Sequence, residues 1–132
     1  MENLLKHITE ILLLAFLIIT FLQSGFDKIL DWKGNVNWLK EHFSKTFLAN
    51  MVVKNVAIIL VTEMIAGILS VIGIYQLIVN DDKTVGLYGA ILSCIVLLML
   101  LFGQRIAKDY DGARTIAIYF VPAVFAVFLL SA

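Results

Sequence analysis

Long apolar runs separated by short polar clusters set the pattern of this chain. The first run spans Leu4 to Gln23, with its most apolar stretch from Ile11 to Leu22. The second spans Met51 to Val79, the third Val85 to Gly103 and the fourth Thr115 to Ala132. A helix needs about 20 mostly apolar residues to cross a bilayer core. The pattern therefore predicts an all-α membrane protein, a bundle of four transmembrane helices over about 4–30, 51–79, 85–103 and 115–131, forming a single transmembrane domain over 1–132. Pro122 falls inside the fourth run. Membrane helices tolerate proline because neighbouring helices re-satisfy the freed backbone groups, so it predicts a kink rather than a break. The first run could suggest a cleaved leader, but Leu22-Gln23-Ser24-Gly25 lacks the small-x-small cleavage pattern, and it reads as a retained helix.

The connections differ in character. Asn80-Asp81-Asp82-Lys83 reads as a tight polar turn, and Gln104 to Arg114 as a short charged loop with Gly112 as a breaker. The longest connection, Gly25 to Asn50, has a turn signal at Lys33-Gly34-Asn35. After it Val36, Leu39, Phe43 and Phe47 recur at helical spacing, with Glu41, Ser44 and Lys45 opposite. Together with Trp32 and Trp38 this predicts a short interfacial amphipathic helix between the first and second spans. It would either lie on the membrane surface or tuck against the bundle end.

Composition agrees with a membrane setting. Hydrophobic residues make up 61% and charged residues 15%, against roughly 45–50% and about 25% in globular proteins. A net charge of zero leaves no nucleic-acid footprint. The single cysteine, Cys94, allows neither an internal disulfide nor CxxC chemistry. His7 and His42 lie far apart and on opposite sides of the membrane, so no metal site or bis-histidine haem is expected. Lys and Arg are unevenly spread: Lys6 and Lys83 on one side, and Lys28, Lys33, Lys40, Lys45, Lys54, Arg105, Lys108 and Arg114 on the other. The positive-inside rule then puts the first and third loops in the cytoplasm and both termini outside.

Glu63 is the most informative residue. It lies inside the second span with apolar residues on both flanks. A charge at such depth costs at least about 2.5–3.5 kcal/mol and is read first as functional. Topology brings Gln23, Ser24 and Lys28 to the same end of the bundle, with Gln104 and Arg105 from the third span and Arg114 and Tyr119 from the fourth. Glu63, Lys28, Arg105, Gln104, Gln23 and Tyr119 form the expected buried polar site. Two readings stand: an ion pair that locks helices together, or a group that handles a proton or ligand. No catalytic residue is assigned.

Small residues make a second pattern. Gly86, Ala90 and Cys94 recur at spacing four, beside Gly89 and Ser93, and Gly67, Ser70 and Gly73 lie close to one face of the second span. They predict close helix packing within the bundle, with a homo-oligomer contact as the alternative. Phe16, Phe21, Phe26, Phe102, Tyr119 and Phe120 could line a quinone pocket, or only fill the core or form an interface belt.

On these residues the chain resembles the DoxX family of small four-helix membrane proteins. The resemblance rests on Gln23-Ser24-Gly25-Phe26-Asp27-Lys28, on Glu63-x-x-x-Gly67-x-Leu69 and on the long first connection, and spans the chain in topology. It implies a bacterial or archaeal cell membrane, here the bacterial cytoplasmic (inner) membrane. It also implies a link to quinone-coupled oxidoreductases, since one branch of the family is a subunit of thiosulfate:quinone oxidoreductase. The leading expectation is a membrane subunit or assembly factor of a larger, redox-linked complex, not catalytic alone, with lipid and other membrane subunits as partners. The alternative is a quinone-site subunit, with quinone as a borrowed cofactor and none intrinsic. A small-molecule transporter ranks third, because four short helices without a repeat leave little room for alternating access.

Overall fold

A computed structural model describes residues 2–132. The described residues form six α-helices: α1 (Glu2–Lys6), α2 (Ile8–Leu30), α3 (Trp32–His42), α4 (Val52–Asn80), α5 (Thr84–Ile106) and α6 (Tyr110–Ser131). Helices α2, α4, α5 and α6 are long and apolar enough to cross a membrane. Together they make an all-α four-helix membrane bundle, and the chain is a multi-pass integral membrane protein. They run up and down in chain order. α4 packs between α2 and α5, α6 lies against α5, and a lighter contact between α6 and α2 closes the ring.

The core is a column of fully covered side chains. Leu14, Leu17 and Phe21 from α2 meet Leu77 from α4, Ala90, Val96 and Leu97 from α5, and Ala123 and Ala126 from α6. The outward positions, such as Ile19, Ile68, Leu98 and Phe128, are large, apolar and exposed. In water such a surface would drive aggregation; in a bilayer it is the lipid-facing coat.

Small residues let α4 and α5 approach to backbone contact. A Cβ on Gly73 would lie 2.7 Å from the Gly86 nitrogen, and one on Gly89 would lie 3.0 Å from the Ser70 nitrogen. The predicted stripe is thus spent inside the bundle. Ser70 and Ser93 return their hydroxyls to Ala66 and Gly89 carbonyls at 2.8 and 2.7 Å, so neither leaves a polar atom loose in the apolar core.

Several boundaries move from their expected places. The expected first helix is interrupted at His7, which separates α1 from α2. The Lys33-Gly34-Asn35 turn is instead the first turn of α3. Asp31 caps it, its side chain accepting from the Gly34 nitrogen, and the Asn35 amide donates to the Asp31 carbonyl at 2.9 Å. The glycine-asparagine pair serves a helix start rather than a chain reversal. α3 ends at His42, short of Phe47, and packs on α4 at the bundle end with Val36 buried. The charged loop after α5 shrinks to three residues. α5 runs on through Gln104 and Arg105, and α6 begins at Tyr110, with Asp109 accepting from the Gly112 nitrogen at 3.0 Å. Polar side chains at a membrane surface do not end a helix, because they reach water from its last turn. α6 continues unbroken through Pro122.

Candidate functional site

The site grows from the facing ends of α2 and α4. Ser24 and Lys28 stand one turn apart on α2, so their side chains share a face. Glu63, on α4, is 1% exposed. The Lys28 ammonium donates to both Glu63 oxygens at 3.2 Å and to the Ser24 hydroxyl at 2.7 Å. Gly25 lies between them on α2, where a Cβ would meet the Met64 side chain, and Gly67 gives Leu22 its seat one turn below Glu63. These close seats bring the carboxylate and the ammonium together. Buried charges persist when paired and hydrogen-bonded, and among the described residues no fully buried side-chain nitrogen or oxygen lacks a partner.

Of the other expected site residues, Gln104 alone adjoins this pair, through a shared cleft. Gln23 is exposed on α2. Arg105 turns outward and stacks over the Tyr110 ring at 5.1 Å. Arg114 pairs with Asp111 at the surface, at 3.3 Å. Tyr119 sits edge-on to Phe16, with ring centroids 6.1 Å apart. Gln104 accepts from His42 at 3.2 Å, and Asp109 lies 3.5 Å from the same ring nitrogen. These contacts pin the end of α3 to the last turn of α5 and to the start of α6.

Beside Lys28 lies a cleft of about 610 Å³ between α4 and α5. Leu39 of α3 and Phe43 and Leu48 of the connection cover one end. Ile59, Met99 and Leu100 line the wall, and Asn55 and Gln104 are polar points near the covered end. Ile58, Ile95, Leu98 and Phe102 also line it and are about half exposed on the outer face of the bundle. The cleft therefore opens sideways, toward lipid. Among the described residues lining it, Lys28 is the one charged side chain. Of the six aromatics proposed for a pocket, Phe102 lines this one, while Phe21 is core and Phe26 is exposed.

Sequence reasoning missed two things. The cleft draws on Leu39 and Phe43, whose periodicity predicted a helix but not what it would cover, and on Asn55 of α4, which stood out by no pattern. At the opposite end, His7, Glu10 and Asp81 meet. The three-residue spacing of His7 and Glu10 was a signal for a shared helix face, and topology already placed Asp81 at that end. Compared with protein-family models, curated proteins and solved structures, the chain matches none.

Proposed function

We propose that this chain is a membrane subunit that takes up a lipophilic ligand with a carbonyl-bearing head, of the quinone kind, from the bilayer into the cleft between α4 and α5. The observation that carries this reading is a lipid-open apolar cleft with one cation at its polar end, held by a buried carboxylate. Small-molecule pockets combine this volume and apolar lining with a few convergent polar groups. Lys28, sharing one N–H between the two Glu63 oxygens and giving a second to Ser24, would keep its third for a head-group carbonyl, and Glu63 behind it would keep the ammonium in place and supply a group able to hold a proton. Arg105, turned onto Tyr110, has no part in this scheme. The ligand's partner chemistry would belong to another subunit of a redox-linked complex.

The DoxX resemblance fits the same reading. Ser24 and Lys28 of its first motif converge on Glu63 of its second, and Gly67 of the second seats Leu22 beside the first. The resemblance implies the bacterial cytoplasmic membrane, and the imbalance of Lys and Arg between the two sides puts the first and third loops inside. Reporter fusions at Ala132 are expected to be active only outside the cytoplasm; activity confined to the cytoplasm would reverse the orientation.

The test of the ligand site is binding of a photoreactive quinone analogue to the detergent-purified protein, before and after the cleft is filled. Gly103→Leu and Ile59→Phe fill it from opposite walls. Each is expected to weaken labelling at least about tenfold, a change of about 1.4 kcal/mol, with helix content unchanged. Equal labelling of the filled variants and the wild type would discard the site. The reading of an anchor or assembly subunit rests on a different observation, the closed and fully satisfied core. It predicts copurifying membrane proteins with no dependence on the cleft.

A further inference from the structure

The end of the bundle away from the cleft holds a buried histidine between two carboxylates. His7 sits at the break between α1 and α2 and is 3% exposed. Its Nδ1 lies 3.0 Å from Glu10 Oε2, and Glu10 is itself buried. Its Nε2 meets Asp81 Oδ1. Asp81 closes α4 in the left-handed conformation, with φ 53°, and its other oxygen accepts from Lys6 at 2.9 Å. These contacts tie the α1–α2 junction to the α4–α5 turn across more than seventy residues of sequence.

The hydrogens do not balance without an extra proton. A neutral imidazole has one N–H, and an ionised carboxylate only accepts. Both ring nitrogens face carboxylate oxygens, so one of the two contacts would set acceptor against acceptor. One added proton, on the ring or on Glu10, gives every contact a hydrogen. It also brings the cluster of Lys6, His7, Glu10 and Asp81 to zero net charge, where its absence leaves one negative charge in excess beside the buried His7 and Glu10. Among the described residues, no other charged side chain hydrogen-bonds to the cluster. Asp82 accepts from the Thr84 nitrogen at 2.9 Å, Lys83 donates to the Leu129 and Ala132 carbonyls, and Asn3, which is neutral, donates to the Ile78 carbonyl at 3.1 Å.

We infer that His7, Glu10 and Asp81 form a proton-loaded clasp, which joins α1 and α2 to the α4–α5 turn while the proton is bound and loosens that end of the bundle when it leaves. Histidine is the side chain suited to exchange a proton near neutral pH. On the acid side Asp81 sets the limit. Its hydrogen bond from His7, and then that from Lys6, hold its carboxyl below the usual range. A carboxyl lowered in the folded state adds stability above its unfolded value, near 3.9, and that stability is lost as pH falls through the folded value. The clasp thus holds in a window, lost above by giving up the shared proton and below by protonating Asp81.

Glu10→Gln separates this device from an ordinary packing contact. The glutamine amide can donate to Nδ1 and so supplies the missing hydrogen with no added proton. In detergent, the thermal midpoint of the wild type is expected to fall by roughly 4 °C, the shift of a modest loss of stability, as pH rises from about 6 to about 9. Glu10→Gln is expected to hold its midpoint over that range. A flat wild-type profile, or a Glu10→Gln profile as steep as the wild type's, would overturn the inference. Should the variant not fold, nitrogen and carboxyl carbon NMR of the wild type decides. The expected result near neutral pH is either a ring carrying hydrogen on both nitrogens or a protonated Glu10. A singly protonated ring beside an ionised Glu10 would refute the clasp.

Discussion

Replacing Glu63 by alanine is expected to destabilise the bundle by about 3 kcal/mol, the low end of the range for removing one partner of a buried ion pair. The change leaves the Lys28 ammonium without its main acceptor and opens a void where a side chain is 1% exposed. The low end applies because Lys28 lies in the last turn of α2 and can bend toward the head groups once released. Glu63→Gln is the informative companion. It keeps a carbonyl to accept from Lys28 and keeps the volume, but it removes the charge and the titratable proton. If Glu63 only locks the helices, protein level and thermal midpoint should order as wild type, then Gln, then Ala, and ligand labelling should follow stability. If Glu63 serves the ligand, Gln should fold nearly as well as the wild type and yet lose labelling. A Glu63→Ala protein as stable as the wild type would remove both roles.

The second large effect is expected at the crossing of α4 and α5. Gly73→Ala places a methyl 2.7 Å from the Gly86 nitrogen, and backbone cannot step aside as a flexible side chain can. The two helices must separate along their length. Overpacking costs about 1–3 kcal/mol, and a contact with main chain on both sides belongs near the top of that range. It outweighs the roughly 0.5–1 kcal/mol that alanine gains over glycine within a helix. Gly103→Ala is the control. Its nearest neighbour would be the Phe43 ring at 3.6 Å, an ordinary contact, so the helix preference should prevail and stability should rise slightly. Thermal midpoints of the two variants should therefore move in opposite directions. Equal shifts would mean that the α4–α5 approach does not set the packing.

Why the spans were legible and the site only partly so follows from what each depends on. The four spans answer to a solvent that penalises every polar residue over some twenty positions, and a run such as Val85 to Gly103 shows that penalty directly. Glu63 was legible for the same reason, as the exception within a run. Its partner was narrowed to one end of the bundle by topology, but the choice of Lys28 over Arg105 depends on rotation about each helix axis. Lys28 shares its face with Ser24 and meets α4, whereas Arg105 emerges beside Tyr110. Sequence spacing fixes relative angles within one helix, not the angle at which that helix meets the next. The clasp at His7 went unread because Glu10 stands just before Ile11 to Leu22, the most apolar stretch of the first run, where a charge needs no explanation until its burial is known. The Gly34-Asn35 pair was misleading because the same residues suit a chain reversal and a capped helix start. Asp31, two residues before the predicted turn, decided the outcome.

The sideways mouth of the cleft has a bearing on selectivity. A closed pocket measures the whole of its guest. Here the half-exposed rim of Ile58, Ile95, Leu98 and Phe102 leaves one flank to the membrane interior, so a guest's tail would stay among the lipid chains and contribute nearly the same free energy inside the cleft as outside it. Recognition would then fall on the few atoms that meet Lys28, Asn55 and Gln104. Homologues that share a head and differ in the number of tail units should compete on equal terms.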